Sequence, residues 1–190
     1  MSPYYSKQSS LISNFSDLQT VCGIPILPLR GSSVSKSGPC PILTDNDYSD
    51  IVSEALEFFR FNSLVKSRFD LKSGPDKILI HLTLWIHHCL HAMDSLESFS
   101  SLRQLVEFLY SVDRVDFLTR TQFLFSKPFS KKDQQTFREY LDQLQIETCH
   151  RLANCVWTSN KPQYWSQYGR INILGIYWRF FDIFSIQFFF

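Results

Sequence analysis

The segment Pro75–Met93, PDKILIHLTLWIHHCLHAM, constrains what this chain can fold into more than any other. Wound as an α-helix, its first half has no polar face: Ile78, Leu79, Ile80, Leu82, Leu84, Trp85 and Ile86 point in nearly every direction. A helix that is apolar all round must be enclosed, by protein or by lipid. This one is too short and too rich in histidine for a membrane span. The pattern therefore predicts an all-α fold, a small helical domain with one central helix surrounded by others. Such a chain works through its surfaces and not through a cleft.

The flanking periodicities supply the surrounding helices. Over about Tyr48–Phe61, Ile51, Val52, Ala55, Leu56, Phe58 and Phe59 share one face, and Ser53, Glu54, Glu57 and Arg60 fall on a solvated one. Asp47, Ser49 and Asp50 bring cap and dipole chemistry to its start. Ser73 and Asp76 frame the start of the central helix, with Pro75 in its first turn. A third helix spans roughly Ser101–Ser111, with Leu102, Leu105, Val106 and Leu109 inward. The longest runs from about Lys131 to Val156 behind Ser130 and Asp133. Its stripe is Phe137, Tyr140, Leu141, Leu144, Thr148, Leu152 and Cys155, bordered by a partly buried Glu147–Arg151 ion pair. Phe117–Phe125 alternates poorly and reads as extended, and Phe69–Leu71 as a short strand or irregular. Asn160-Lys161-Pro162 ends the long helix, after which Trp165 folds back on the bundle.

Three regions follow. Residues 1–46, rich in Ser, Pro and Gly, form an extended N-terminal arm packing on the core. Within it only Val21–Arg30 is strongly apolar, and Pro25 and Pro28 forbid a helix there. Residues 47–168 are the helical domain. Residues 169–190 are an atypical apolar tail. Arg179 and Asp182 near its middle each oppose insertion by roughly 2.5–3.5 kcal/mol, against about 0.3–0.6 kcal/mol gained per apolar residue. Three readings stay open for this tail: packing on a partner, a weak membrane anchor, or translated intron or read-through sequence.

Composition and motifs exclude several classes. The net charge of +1 and the lack of a basic stripe argue against nucleic-acid binding. The N-terminus lacks the apolar run of a signal peptide. Five cysteines with no C-x-x-C pair favour reduced thiols in a cytosolic protein over disulfides or zinc. His87 and His91 could face one metal, but Cys89 lies on another face and no H-E-x-x-H carboxylate is present. Cys149 and His150, adjacent on a helix, point about 100° apart and cannot form a nucleophile–base pair. There is no glycine-rich phosphate loop. We assign no catalytic, metal-binding or cofactor-binding residue. The rivals to a non-catalytic binding subunit are a small metal-dependent enzyme using His87 and His91, and a tail-anchored membrane protein.

A series of ordered blocks carries a family resemblance. They include Pro3-Tyr4-Tyr5, Leu27-Pro28-Leu29-Arg30, Asp50-Ile51-Val52 with Glu54-Ala55, Asp76 with Leu79-Ile80 and Leu82-Thr83-Leu84, and Lys127-Pro128. Tyr140-Leu141, Gln143-Leu144, Glu147-Thr148, Arg151-Leu152, Lys161-Pro162 and Trp165 complete the series. Together they resemble the actin-related protein 2/3 complex subunit 3 family. Three features depart from it: Asp113–Thr121 in place of a Gly/Pro-rich connection, Cys149 in place of a glycine, and the apolar end after Trp165. The resemblance implies an all-α structural subunit, without cofactor, in the cytoplasmic actin cytoskeleton. It implies docking on the actin-related protein that starts the daughter filament and support of nucleation and branching. Its partners would be the actin-related proteins, the other subunits and the actin filament, with no nucleic acid or membrane. Tyr4, Arg30, Lys161 and Trp165 are the candidate partner-binding residues.

Overall fold

The computed structural model describes residues 5–11, 18–30, 38–43, 49–62, 72–94, 99–125 and 130–158. Tyr4, Lys161, Trp165, Phe69–Leu71 and the whole of 169–190 lie outside the described residues. In chain order the helices are α1 (Gln8–Leu11), α2 (Ile51–Asn62), α3 (Gly74–Asp94), α4 (Leu102–Ser111), α5 (Arg114–Thr121) and α6 (Lys131–Thr158). Four two-residue strands lie in the arm: β1 (Thr20–Val21), β2 (Ile24–Pro25), β3 (Leu29–Arg30) and β4 (Ile42–Leu43). The molecule is thus mostly helical. The expected all-α class is amended by strands in the proline-containing stretch that cannot continue a helix.

Local chemistry sets the helix starts. Asp50 Oδ1 accepts the Ser53 N–H at 2.9 Å at the head of α2. For α3, Ser73 and Asp76 form a reciprocal capping box. The Asp76 N–H donates to Ser73 Oγ at 3.3 Å, and the Ser73 N–H donates to Asp76 Oδ2 at 2.8 Å. Ser101 caps α4, Asp113 caps α5 through the N–H groups of Val115 and Asp116, and Ser130 caps α6.

α3 is the enclosed element. Ile78, Leu79, Ile80, Leu82, Trp85, Ile86, Cys89, Leu90 and Met93 are all buried. α2 packs on one side of it and α6 on another, α4 lies on α6, and β2 covers its beginning. Phe117 of α5 closes a further side, with its ring 5.0 Å from Trp85 and 5.2 Å from His81. Among the described residues no helix is long and apolar enough to cross a membrane.

Residues 18–30 lie against this core, with Val21, Ile24, Ile26, Leu27 and Leu29 buried. β1 and β2 form an antiparallel hairpin whose two-residue turn, Cys22-Gly23, has φ of 52° and 72°. Both values are positive, as a type I′ turn requires. β3 and β4 pair in parallel, Leu29 opposite Ile42 and Arg30 opposite Leu43. At Gly38, a Cβ would overlap the Gln143 amide, so the arm's backbone can approach α6 this closely only through a glycine.

Three sequence expectations are corrected. Phe117–Phe125 is not extended. It is the end of α5 followed by a 3₁₀ turn, Gln122–Leu124, because Asp113 supplies a cap and Phe117 and Thr121, four apart, both face inward. Glu54 is not solvated but buried, since residues 6 and 7 of the arm cover that side of α2. Cys155 is exposed, and the stripe of α6 ends on Ala153 and Val156 instead. Four residues per step, from Leu144 through Thr148 and Leu152, lead to Val156.

Candidate interaction surface

The candidate surface rests on a polar frame that α6 builds against the arm. Irregular backbone leaves N–H and C=O groups without ladder partners, and burial makes that costly. Side chains of α6 supply the partners. Tyr140 accepts the Leu27 N–H at 3.2 Å and donates its hydroxyl to the Pro25 carbonyl at 3.3 Å. Gln143 Oε1 accepts the Cys40 N–H at 2.9 Å. Further along, Arg151 donates through Nη1 and Nη2 to both oxygens of Asp50, at 2.7 and 2.8 Å. Its Nε donates to Glu147 at 2.6 Å, and Nη2 also reaches the Arg30 carbonyl at 3.3 Å.

The expected Glu147–Arg151 pair is therefore present, but it is one arm of a larger junction. Burial alone would raise the pKa of Asp50. The hydrogen bonds and charge of Arg151, with the N–H groups of Ser53 and Arg30, outweigh burial and hold the carboxyl below its ordinary range. Burial likewise works against the Arg151 cation, and Asp50 and Glu147 more than offset it.

This junction fixes Arg30, one of the four candidate contact residues. Its N–H is held by Asp50 Oδ2 at 2.9 Å and its carbonyl by Arg151, while the residue itself is exposed on β3. On the paired strand, Ile42 of β4, opposite Leu29, is an exposed large apolar residue that sequence reasoning missed. The exposed Trp157 near the end of α6 was also missed. Neither has a period that marks it, because exposure is decided by what covers a residue and not by its type. Tyr5 is exposed as well and accepts a hydrogen bond from Lys72 Nζ at 3.0 Å.

The histidines divide into two groups. His87 and His91 lie on the outer side of α3 with their rings parallel, 6.3 Å between centroids. Cys89 is turned into the core, away from them, and burial pushes its thiol well up. Among the described residues no group of three or more His, Cys, Asp or Glu is placed to hold a metal ion. Cys149 is buried and donates its thiol toward the Leu109 carbonyl at 3.6 Å, and neighbouring His150 is half-buried.

His81 is different, and sequence reasoning passed over it. It is fully buried, between Phe117 and Phe125, with Gln145 Nε2 at 3.2 Å from its Nε2. Its Nδ1 has no hydrogen-bond partner among the described residues. Burial pushes its pKa down to about 3. An unfolded chain would titrate it near 6.5. Between these values the unfolded chain binds a proton that the folded one refuses. The stability due to neutral His81 is thus complete above about pH 6.5 and is lost as pH falls toward 3. From about pH 7.5 to 5 we expect a loss of about 2 kcal/mol, to which half-buried His88 adds in the same direction. Asp50 does not enter, because its window lies below the ordinary carboxylate value. Urea midpoints at the two pH values test this, and equal midpoints would refute it.

With this geometry in view, the chain was compared with known proteins. Residues 1–176 match the family model described as P21-Arc, ARP2/3 complex ARPC3 (21 kDa) subunit. The chain is 34% identical over 149 residues to the actin-related protein 2/3 complex subunit 3 of Arabidopsis thaliana, covering 76% of this chain and 82% of that protein. The protein of the same name in Schizosaccharomyces pombe is 29% identical over 171 residues, covering 87% and 92%. That in Dictyostelium discoideum is 28% identical over 162 residues, covering 82% and 89%.

Proposed function

The chain belongs to the actin-related protein 2/3 complex subunit 3 family, and we infer from this that it is a non-catalytic structural subunit of that complex. In that role it supports actin filament nucleation and branching. Its partners are the actin-related proteins and the other subunits, and its place is the cytoplasmic actin cytoskeleton. The observation that carries this reading is the family match across residues 1–176, which spans the arm and the whole helical core.

The physical form of the molecule suits the role. A subunit that holds others in place needs side chains presented at fixed positions. The junction of Arg151 with Asp50, Glu147 and the Arg30 carbonyl provides this at one point of the surface. Docking on the actin-related protein that begins the daughter filament is the finer part of the proposal. Tyr4, Arg30, Lys161 and Trp165 are its candidate contacts, with Ile42 added as an exposed apolar residue on the strand paired with that of Arg30.

Affinity purification of the tagged chain from its source cells tests the assignment. The actin-related proteins should co-purify in equal molar amount. Recovery of the chain alone from cells that contain an intact complex would remove the proposal.

A further inference from the structure

The first described residues of the arm are held in an unusual way. Glu54 of α2 and Asp76 of α3 are both buried; Glu54 turns both oxygens toward the arm and Asp76 turns Oδ1. The Ser6 N–H donates to Asp76 Oδ1 at 2.7 Å, and Ser6 Oγ donates to Glu54 Oε2 at 2.9 Å. The Lys7 N–H donates to Glu54 Oε1 at 2.8 Å. Ser6 therefore sits between two carboxylates contributed by two helices, and it supplies only neutral donors to them. Gln8 Nε2 adds a bond to the Ser49 carbonyl at 2.6 Å, and the hydroxyls of Ser9 and Ser73 lie 2.7 Å apart.

Over residues 5–10, almost none of this attachment is apolar. Among residues 5–10 the buried side chains are Ser6 and Gln8, both polar. The apolar anchor of the arm comes later, at Val21, Ile24, Ile26, Leu27 and Leu29. Segments with few apolar contacts open at low free energy and as local units. Residues 5–10 can thus leave the surface while the core and residues 18–30 stay in place. What holds them is a match of charge: donors on the arm against carboxylates in the socket.

We propose that residues 5–10 form a charge-read latch, released as a unit when Ser6 is phosphorylated. The kinase reaches Ser6 while the latch is transiently open. Ser6 Oγ bonds to the terminal phosphorus of a nucleoside triphosphate, the bond from that phosphorus to the diphosphate breaks, and the hydroxyl proton passes to the kinase's base. The modified side chain carries a charge of about −1.5 to −2 and no longer donates. Replacing the latch would set this anion against Glu54 and Asp76 in a poorly hydrated site, where like charges repel most strongly. Release exposes the two carboxylates and frees Tyr5.

The test uses the full chain with phosphoserine installed at position 6, together with Ser6→Asp and Ser6→Ala. Limited digestion with a lysine-specific protease, read by intact mass, reports access to the bond after Lys7. The phosphoserine and Ser6→Asp chains should be cut there at least about tenfold faster than the unmodified chain, with the urea midpoint of the core unchanged. Adding Glu54→Gln to Ser6→Asp should slow the cut again, because it removes one repelling charge. Three results overturn the proposal: cleavage of Ser6→Asp as slow as the unmodified chain, cleavage of Ser6→Ala as fast as Ser6→Asp, or loss of the core's folding in Ser6→Asp.

Discussion

Leu82→Asp leaves the chain without a cooperative unfolding transition at neutral pH. Leu82 has no exposed surface, at the centre of the most enclosed helix in the molecule. Removing the leucine side chain alone costs about 2–5 kcal/mol where the cavity cannot collapse. Burying a carboxylate without a partner costs several kcal/mol more, whether it stays charged or is forced to take up a proton. A domain of this size has about 5–15 kcal/mol in all, so the two together consume most or all of it. Leu82→Met, which keeps volume and polarity, should cost less than about 1.5 kcal/mol and serves as the control. Thermal unfolding followed by circular dichroism decides the matter. A melting temperature lowered by only a few degrees in Leu82→Asp would mean that α3 is not enclosed.

Arg151→Leu should cost about 3–5 kcal/mol, the usual consequence of removing one member of a buried ion pair. The side chain of Arg151 is 14% exposed, that of Asp50 0% and that of Glu147 3%, so the two carboxylates would be left nearly dry without their cation. The effect carries a pH signature. In the native chain the folded pKa of Asp50 lies below its ordinary value, so its contribution is present above that value and is lost as pH falls through the folded one. In Arg151→Leu the deficit should be largest near neutral pH and should shrink as acid protonates Asp50. Arg151→Lys should fall between the two, because an ammonium cannot bridge both Asp50 oxygens and Glu147 in one plane. Denaturant titrations from about pH 4 to 7 give both the size and the slope. A deficit that is flat across this range would show that packing, not charge, is what Arg151 contributes.

What could be read from the sequence was what depends on near neighbours. The enclosure of α3 follows from a run of apolar residues with no polar face, and the starts of α3 and α6 from capping residues three apart. The Glu147–Arg151 pair follows from helical spacing. The position of Glu54 was missed, although a signal was there. It stands three residues after Ile51 and four before Phe58, and so on the border of the buried stripe of α2. The run Phe117–Phe125 was misread because its apolar residues are too few for a clear period. The aspartate that starts the helix, Asp113, lies just before it.

The larger omission was the frame itself. Its bonds from α6 to the rest of the chain join residues 101 to 121 positions apart, from Asp50 to Arg151 at the near end and from Arg30 to Arg151 at the far one. No local pattern announces such a partner. Asp50 reads equally well as a simple helix cap until Arg151 is seen against it. Of the four contact residues expected from the sequence, only Arg30 falls among those the structure describes, and the frame beneath it explains why its backbone is fixed.

The same long separations put the molecule on a clock. During synthesis the strip from Val21 to Leu29 leaves the ribosome early, yet Tyr140, which receives the Leu27 N–H, is 113 residues behind it. At about 5–20 residues per second this is an interval of roughly 6–23 s. For that time the Leu27 N–H and the Pro25 carbonyl lack the Tyr140 hydroxyl that pairs with both, and β1 lacks the helix that packs on it. The seat of the arm is therefore finished in the nascent chain only when the last long helix emerges.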